Sequence, residues 1–218
     1  MTDDPTPENA PPRPPTVAMP AIWALASIMV VIEAMLSLSP YGLSPLDRNT
    51  AYLLGGFWAP VLRGIEPVYA IQPVTMFVTH AFLHGGLGHL ALNVTVLLSL
   101  GRIVVMGAGQ IRAVLFFFLC AIGGAGAYGA LAGPELIPMV GASGAVFGFV
   151  AAWKRWEIAV LRRMGASTRP AWRFLFWFLA INVALSLAFP ALAWQAHAGG
   201  FATGWLFAPL IRRTTRFA

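Results

Sequence analysis

Long apolar stretches separated by short polar segments fill the chain between residues 17 and 212. A membrane-spanning helix needs about 20 apolar residues. The pattern predicts six helices with approximate bounds 17–38, 87–106, 111–132, 141–154, 174–192 and 194–211. The fourth stretch is short, because Lys154 and Arg155 follow after about a dozen residues, which rise about 18 Å. We therefore expect an all-α, polytopic bundle of six membrane helices whose fourth helix begins below the membrane surface.

The segment between the first two predicted helices, residues 39–79, is too interrupted to span a membrane. It contains five prolines together with acidic and basic side chains. Its Phe57–Trp58 pair favours a position at the membrane interface, where aromatic rings concentrate. We predict a long interfacial first loop inside a domain that covers residues 17–212. The Pro-rich segment 1–16 predicts a disordered cytoplasmic tail without the features of a secretory signal, and 213–218 a short basic cytoplasmic tail.

Composition places the chain in the membrane class. Hydrophobic residues make up 58% and charged residues 10% of the sequence, whereas a soluble domain carries about 25% charged residues. The net charge of +6 comes from basic residues between apolar stretches, which favours a membrane-surface role over nucleic-acid binding. Cys120 is the only cysteine, so the chain forms no internal disulfide.

The distribution of basic residues predicts the orientation of the helices. An even number of spans leaves both termini on one side, and if that side is cytoplasmic, only Arg48 and Arg63 of the 14 basic residues lie outside. The second, fourth and sixth helices then run inward from the outer surface. The polar side chains near their starts are expected at one depth, toward the outer leaflet. These side chains are His84, His89, Asn93, Ser143 and His197.

Ser143 and His197 are the candidate reactive pair. A serine hydroxyl becomes a strong nucleophile when an adjacent base removes its proton, and histidine is a common partner. Contact between them requires the fourth and sixth helices to approach closely, and glycines four residues apart on both helices permit this. Each glycine pair alone indicates ordinary helix packing; beside a serine and a histidine it favours a site. The glycines are Gly144, Gly148, Gly200 and Gly204.

His89 and Asn93 are spaced to share one helix face. An acyl-transfer intermediate carries an oxyanion that needs hydrogen-bond donors. We predict that the two side chains and the backbone N–H of Ser143 supply them, although polar contacts between helices are the alternative. None of the acidic residues lies in these motifs, so a dyad without a carboxylate is expected. Glu33, inside the first helix, receives no role.

Two other readings are disfavoured. His80, His84 and His89 have a spacing that zinc accepts, but the glycine-rich run between them is a poor scaffold and no carboxylate or cysteine joins the cluster. No metal or other cofactor is therefore expected. A small transporter would predict internal repeats, and the two halves of the chain show no convincing self-similarity. Phe147 is predicted to be a core aromatic that can also stack on His197.

Three motifs, in order along the chain, resemble the rhomboid family of intramembrane serine proteases. They are His84 with His89 and Asn93; Gly141-Ala142-Ser143-Gly144; and Ala196-His197 with Gly200 and Gly204. The resemblance covers about residues 17–212. It implies a nucleophilic Ser143, a general base at His197, an oxyanion hole from His89 and Asn93, and a supporting His84. The implied substrates are single-span membrane proteins that enter sideways from the bilayer near the second and fifth helices.

Two positions depart from the family pattern. The aromatic residue after the nucleophile is usually tyrosine and is Phe147 here, and a common Trp-Arg pair in the first loop is replaced by Thr75-Met76. The alternative function is an inactive rhomboid-like factor that binds membrane proteins, but such relatives typically lose the serine or the histidine. The expected location is a bacterial inner membrane, with both termini cytoplasmic.

Overall fold

The computed structural model describes residues 18–133, 136–189 and 192–212, and these residues confirm the all-α prediction. Within them, no β-strand is present and one isolated bridge joins Phe57 to Met139. The predicted tails 1–16 and 213–218 lie outside the described residues. The described α-helices are α1 (Pro20–Leu38), α2 (Arg48–Gly55), α3 (Gln72–Thr79), α4 (Leu87–Ala108), α5 (Gln110–Leu131), α6 (Ser143–Arg163), α7 (Arg169–Ala188) and α8 (Trp194–Ile211).

The six predicted long helices correspond to α1 and α4–α8, and the chain is an integral membrane protein. Helices α1, α4, α5 and α7 are long and apolar enough to cross a membrane. Helix α6 extends nine residues beyond Lys154 to Arg163, further than expected. The Lys154 ammonium lies 3.7 Å from the centre of the Trp153 ring and 2.7 Å from the Glu157 carboxylate. These contacts compensate the cation, so α6 need not end there. Helix α7 occupies 169–188 rather than 174–192.

Helices α4, α6 and α8 run in the same direction through the centre of the bundle. At their N-terminal ends, the ring of His89 on α4 packs against Gly141, just before α6. Toward their C-terminal ends, Trp156 Nε1 of α6 donates to the Ala208 carbonyl of α8 at 2.8 Å. The same indole packs over Gly107 of α4. The starts of the three helices therefore meet at one end of the protein, as the sequence predicted.

The first loop contains two short helices, α2 and α3, that were not predicted from the sequence. Asp47 caps α2 by accepting a hydrogen bond from the Thr50 N–H at 2.9 Å. Hydrogen bonding to Thr50, from its side chain and then its backbone, lowers the pKa of the exposed carboxyl. Phe57 is fully buried, and its backbone exchanges two hydrogen bonds with Met139, at 2.9 and 3.0 Å. The loop is thereby attached to the segment that leads into α6.

Candidate active site

The start of α6 has a backbone conformation that depends on glycine. Gly141 has φ +123°, a region that side chains other than glycine rarely adopt. Its N–H donates to the His80 carbonyl at 2.9 Å, which fixes the turn. Ser143 is the first residue of α6. Its backbone N–H therefore lies in the first helical turn, where N–H groups have no partner within the helix.

The structure brings Ser143 and His197 into hydrogen-bond contact. The Nε2 atom of His197 lies 2.9 Å from Oγ of Ser143, within the normal range for such a bond. The histidine is 7% exposed, whereas the serine is half-buried. The two side chains can exchange a proton directly, while the hydroxyl stays open to a reactant.

Close packing of α6 against α8 makes this contact possible. A Cβ atom at Gly200 would overlap the backbone of Gly144, and one at Gly204 would overlap the backbone of Gly148. The two glycine pairs therefore face each other, as their spacing predicts. Gly200 is a stricter requirement than Gly144, whose Cβ would lie 3.3 Å from its nearest neighbour, the Ala196 carbonyl oxygen, whereas a Cβ at Gly148 would overlap the Cys120 side chain.

The His197 ring is held on one face and at both nitrogens. The Phe147 ring stacks on it with a centroid distance of 4.3 Å and an interplanar angle of 8°, so the predicted stacking is present. Phe178 of α7 packs against Phe147 in turn, with ring centroids 4.8 Å apart. Nδ2 of Asn182, also on α7, lies 3.0 Å from Nδ1 of His197. The ring orientation is therefore determined by α6 and α7 together.

His89 is oriented by its own turn. The N–H of Gly85 donates to Nδ1 of His89 at 3.2 Å, so the neutral ring carries its proton on Nε2. That nitrogen faces the turn before Ser143, because a Cβ at Gly141 would lie 3.0 Å from it. Nδ2 of Asn93 donates to the His89 carbonyl at 2.9 Å. One amide proton of Asn93 thus remains for another acceptor.

His84 is fully buried behind His89, with ring centroids 5.2 Å apart in an edge arrangement. Its backbone connects the site to the first loop. The His84 carbonyl accepts hydrogen bonds from Nη1 of Arg48 and from the Tyr52 hydroxyl, both at 2.7 Å. His84 therefore lies between the loop and the second-helix motif, a place that suits the supporting role predicted for it.

Two polar contacts near the site were not predicted. Glu33, fully buried in α1, accepts from Nη2 of Arg48 at 2.6 Å and from Nη1 at 3.1 Å, and this ion pair raises the pKa of the Arg48 guanidinium. Asn182 is the second. A polar side chain inside an apolar span is itself a signal of function. That signal was present for both residues, but it does not identify the partner.

Within the described residues, no three histidine, cysteine or carboxylate side chains are grouped so that they could hold a metal ion. The groups gathered at this end of the bundle are the hydroxyl, imidazole, amide and backbone N–H groups described above. Such a set can transfer a proton from an attacking hydroxyl and donate hydrogen bonds to a developing oxyanion.

Comparison with known proteins assigns the chain to a family. No curated protein matches the sequence. The family model described as "Rhomboid domain" matches residues 72–214, well over half of the chain. The match begins at α3 and includes all three motifs. Members of this family are generally intramembrane serine proteases, and inactive homologues also occur. On this match and the membrane-helix bundle, the chain belongs to the rhomboid family.

Proposed function

We propose that this protein is an intramembrane serine endopeptidase that cleaves the transmembrane segments of single-span membrane proteins. The observation that carries the proposal is the 2.9 Å contact between His197 Nε2 and Ser143 Oγ, made between two closely packed helices of a rhomboid-family bundle. A serine and histidine in direct contact form the minimal arrangement for acyl transfer.

In the proposed reaction, Ser143 Oγ attacks the carbonyl carbon of the scissile peptide bond while His197 Nε2 takes the hydroxyl proton. The tetrahedral intermediate expels the amine, which receives that proton from His197. A water molecule then attacks the acyl-enzyme ester, again with His197 as base, and releases the second product with regeneration of the serine. No carboxylate takes part in these steps.

The oxyanion of the tetrahedral intermediate needs donors beside Ser143. We assign this role to the His89 Nε2–H, the Asn93 amide and the Ser143 backbone N–H. The Gly85 bond to Nδ1 leaves the His89 proton on Nε2, facing the turn before Ser143. The N-terminal end of α6 adds a favourable helix dipole for negative charge.

The proposed orientation places both termini in the cytoplasm and the dyad toward the outer leaflet of a bacterial inner membrane. Support comes from α6, which begins at Ser143 and ends with Arg162 and Arg163, so its basic end lies about 30 Å from the serine. Basic residues concentrate on the cytoplasmic side. A fluorescent protein that matures only in the cytoplasm should fluoresce when it is fused to the C-terminus. A fusion that is present in the cells but does not fluoresce would indicate the opposite orientation.

Cleavage by the purified protein tests the proposed activity. The protein is reconstituted in liposomes with a fluorescent single-span reporter. The wild-type protein should cleave it, and Ser143→Ala and His197→Ala should not. Ser99→Ala is the matched control, because this exposed hydroxyl bonds only to the Thr95 carbonyl of its own helix in the described structure. Near-wild-type cleavage by either dyad variant would overturn the mechanism, and stable binding of uncleaved reporter by the wild type would favour the binding-factor alternative.

A further inference from the structure

Asn182 is the polar side chain of α7 that reaches the dyad. The buried residues of α7 are Ala171 and Leu175, and most of its other large apolar side chains are exposed. Asn182 and Phe178, one turn apart, instead face the site, where the amide reaches the His197 ring and the phenyl ring reaches Phe147. An amide inside an apolar helix is unfavourable unless it is hydrogen-bonded. Its partner here is the base of the proposed reaction.

The proposed mechanism determines which ring nitrogen of His197 must carry the proton. To accept the proton of Ser143, Nε2 needs a free lone pair, so the neutral ring must be protonated on Nδ1. The Nδ1–H group then needs an acceptor. The side-chain amide of Asn182, 3.0 Å away, is at that place. A wrong tautomer would point an N–H toward the serine and leave no base there.

The amide of Asn182 can present either of its two ends to Nδ1. In the structure Nδ2 is the atom toward the ring, an orientation in which the amide donates to Nδ1 and the ring proton stays on Nε2. A half-turn about the Cβ–Cγ bond places Oδ1 at the same position, because the two ends of an amide have nearly the same shape. Oδ1 then accepts from Nδ1–H, and Nε2 becomes free to accept from Ser143.

We propose that Asn182 is a positioning residue for the base: its Oδ1 accepts a hydrogen bond from His197 Nδ1–H and thereby fixes the tautomer in which Nε2 can deprotonate Ser143. The inference rests on the proposed protease function. Asn182 does the orienting task that a carboxylate does in a three-residue serine-protease site, but with a neutral group. Glu33, the buried carboxylate of the described residues, is paired instead with Arg48.

Three variants of α7 test this role through turnover. Asn182→Leu removes the acceptor and should lower kcat about 100-fold with little change in KM, a loss typical of misplaced catalytic groups. Asn182→Asp keeps an acceptor in either orientation and should restore kcat to within about tenfold of wild type. Ser186→Ala is the matched control, because its hydroxyl donates to the Asn182 backbone carbonyl at 2.8 Å, away from the ring. Wild-type kcat in Asn182→Leu, or equal loss in the Leu and Asp variants, would overturn the proposal.

A second readout is independent of activity. Nitrogen NMR of the ¹⁵N-histidine-labelled full-length protein in micelles reports which ring nitrogen is protonated, and His197→Gln identifies the His197 signals. We expect Nδ1–H in the wild-type protein and a loss of this preference in Asn182→Leu. A wild-type ring protonated on Nε2 would refute the inference. If the ring is protonated on Nδ1 but the wild-type protein neither cleaves nor is acylated, the protease proposal fails while the amide–imidazole assignment stands.

Discussion

The contact between α6 and α8 and the contact between α1 and the first loop stabilise the candidate site by opposite means. Between α6 and α8, side chains are absent where Gly200 and Gly204 meet the α6 backbone. Between α1 and the loop, the fully buried Glu33 meets Arg48 at 2.6 Å, and the guanidinium continues to the His84 carbonyl. The α6–α8 contact depends on residues without side chains, and the α1–loop contact depends on a pair of opposite charges.

This difference reflects how helices associate in a bilayer. Lipid tails are as apolar as leucine, so apolar side chains give helices little reason to prefer each other, and close backbone packing or polar pairing must do so. The α6–α8 contact uses the first means, which brings two backbones near enough for Ser143 to reach His197. The α1–loop contact uses the second, which holds a proline-rich segment against the second-helix motif.

The largest effect is expected where the backbones touch. Gly200→Ala would force its Cβ into the Gly144 backbone, which cannot move as a side chain could. The free energy of unfolding, measured by denaturant titration in detergent, should fall by about 3 kcal/mol or more, at the upper end of overpacking costs.

Two alanine substitutions serve as controls for this prediction. Gly144→Ala meets its nearest neighbour at 3.3 Å and should be milder, and Gly126→Ala, with nothing within 4 Å, should be neutral or stabilising by about 0.5–1 kcal/mol. Equal effects at Gly200 and Gly126 would show that backbone contact does not limit the α6–α8 distance.

Asn93 of α4 tests the oxyanion assignment at the site that the α6–α8 contact brings together. Asn93→Ala removes a proposed donor and should lower kcat about 10²- to 10³-fold. The side chain of Asn93→Asp has nearly the same shape, but its ionised carboxylate has no N–H to donate. The kcat of this variant should therefore be at least as low as that of Asn93→Ala. Turnover of a single-span reporter measures both. Wild-type turnover in either variant would reduce Asn93 to a helix-packing residue that only bonds the His89 carbonyl.

Breaking the Glu33–Arg48 ion pair tests the contact between α1 and the first loop. Arg48→Met leaves the Glu33 carboxylate buried without its partner and should lower the free energy of unfolding by about 3 kcal/mol. Replacing both Glu33 and Arg48 with Met should destabilise the protein less than Arg48→Met alone, since no uncompensated charge remains. Arg112→Met, at an exposed arginine, should change stability by less than about 0.5 kcal/mol. A double variant no more stable than Arg48→Met would mean that the pair is not coupled in this way.

The smallest effect is expected at the ring that stacks on the base. Phe147→Tyr keeps the stacked ring and should leave kcat within about threefold of wild type, whereas Phe147→Ala loses an aromatic contact of about 0.5–1.5 kcal/mol and should be slower. Reporter cleavage rates decide the comparison. An inactive Tyr variant would show that the space around the Phe147 ring cannot admit a hydroxyl.

The sequence predicted the parts of the fold and site that local patterns encode. Apolar stretches marked the six long helices, and glycines spaced by four predicted which faces of α6 and α8 meet. The contact between Ser143 and His197 followed from these two inferences. The order within the first loop was less visible, since α2 and α3 are too short to give a strong pattern beside several prolines.

Local sequence patterns did not predict contacts between polar groups that are distant in sequence. Glu33 stood out as a polar residue in an apolar stretch, whereas Asn182, also polar in an apolar stretch, was not predicted to have a role. The partners of both depend on how a helix is rotated about its axis. Composition does not determine that rotation in α7, which is apolar on nearly every face. Lys154 was misleading in the other direction. Its contacts with Trp153 and Glu157 are local to α6, and its contact with the Phe174 ring of α7, 4.2 Å away, depends on the tertiary structure. With these partners, α6 continues past the cation.

Covalent labelling of the purified, folded protein with a fluorophosphonate probe shows whether His197 activates Ser143, because the probe reacts with a serine hydroxyl that an adjacent base activates. We expect the wild-type protein to be labelled on Ser143, and Ser143→Ala and His197→Ala to remain unlabelled. Absence of labelling in the folded wild-type protein, or equal labelling of Ser143→Ala, would contradict it.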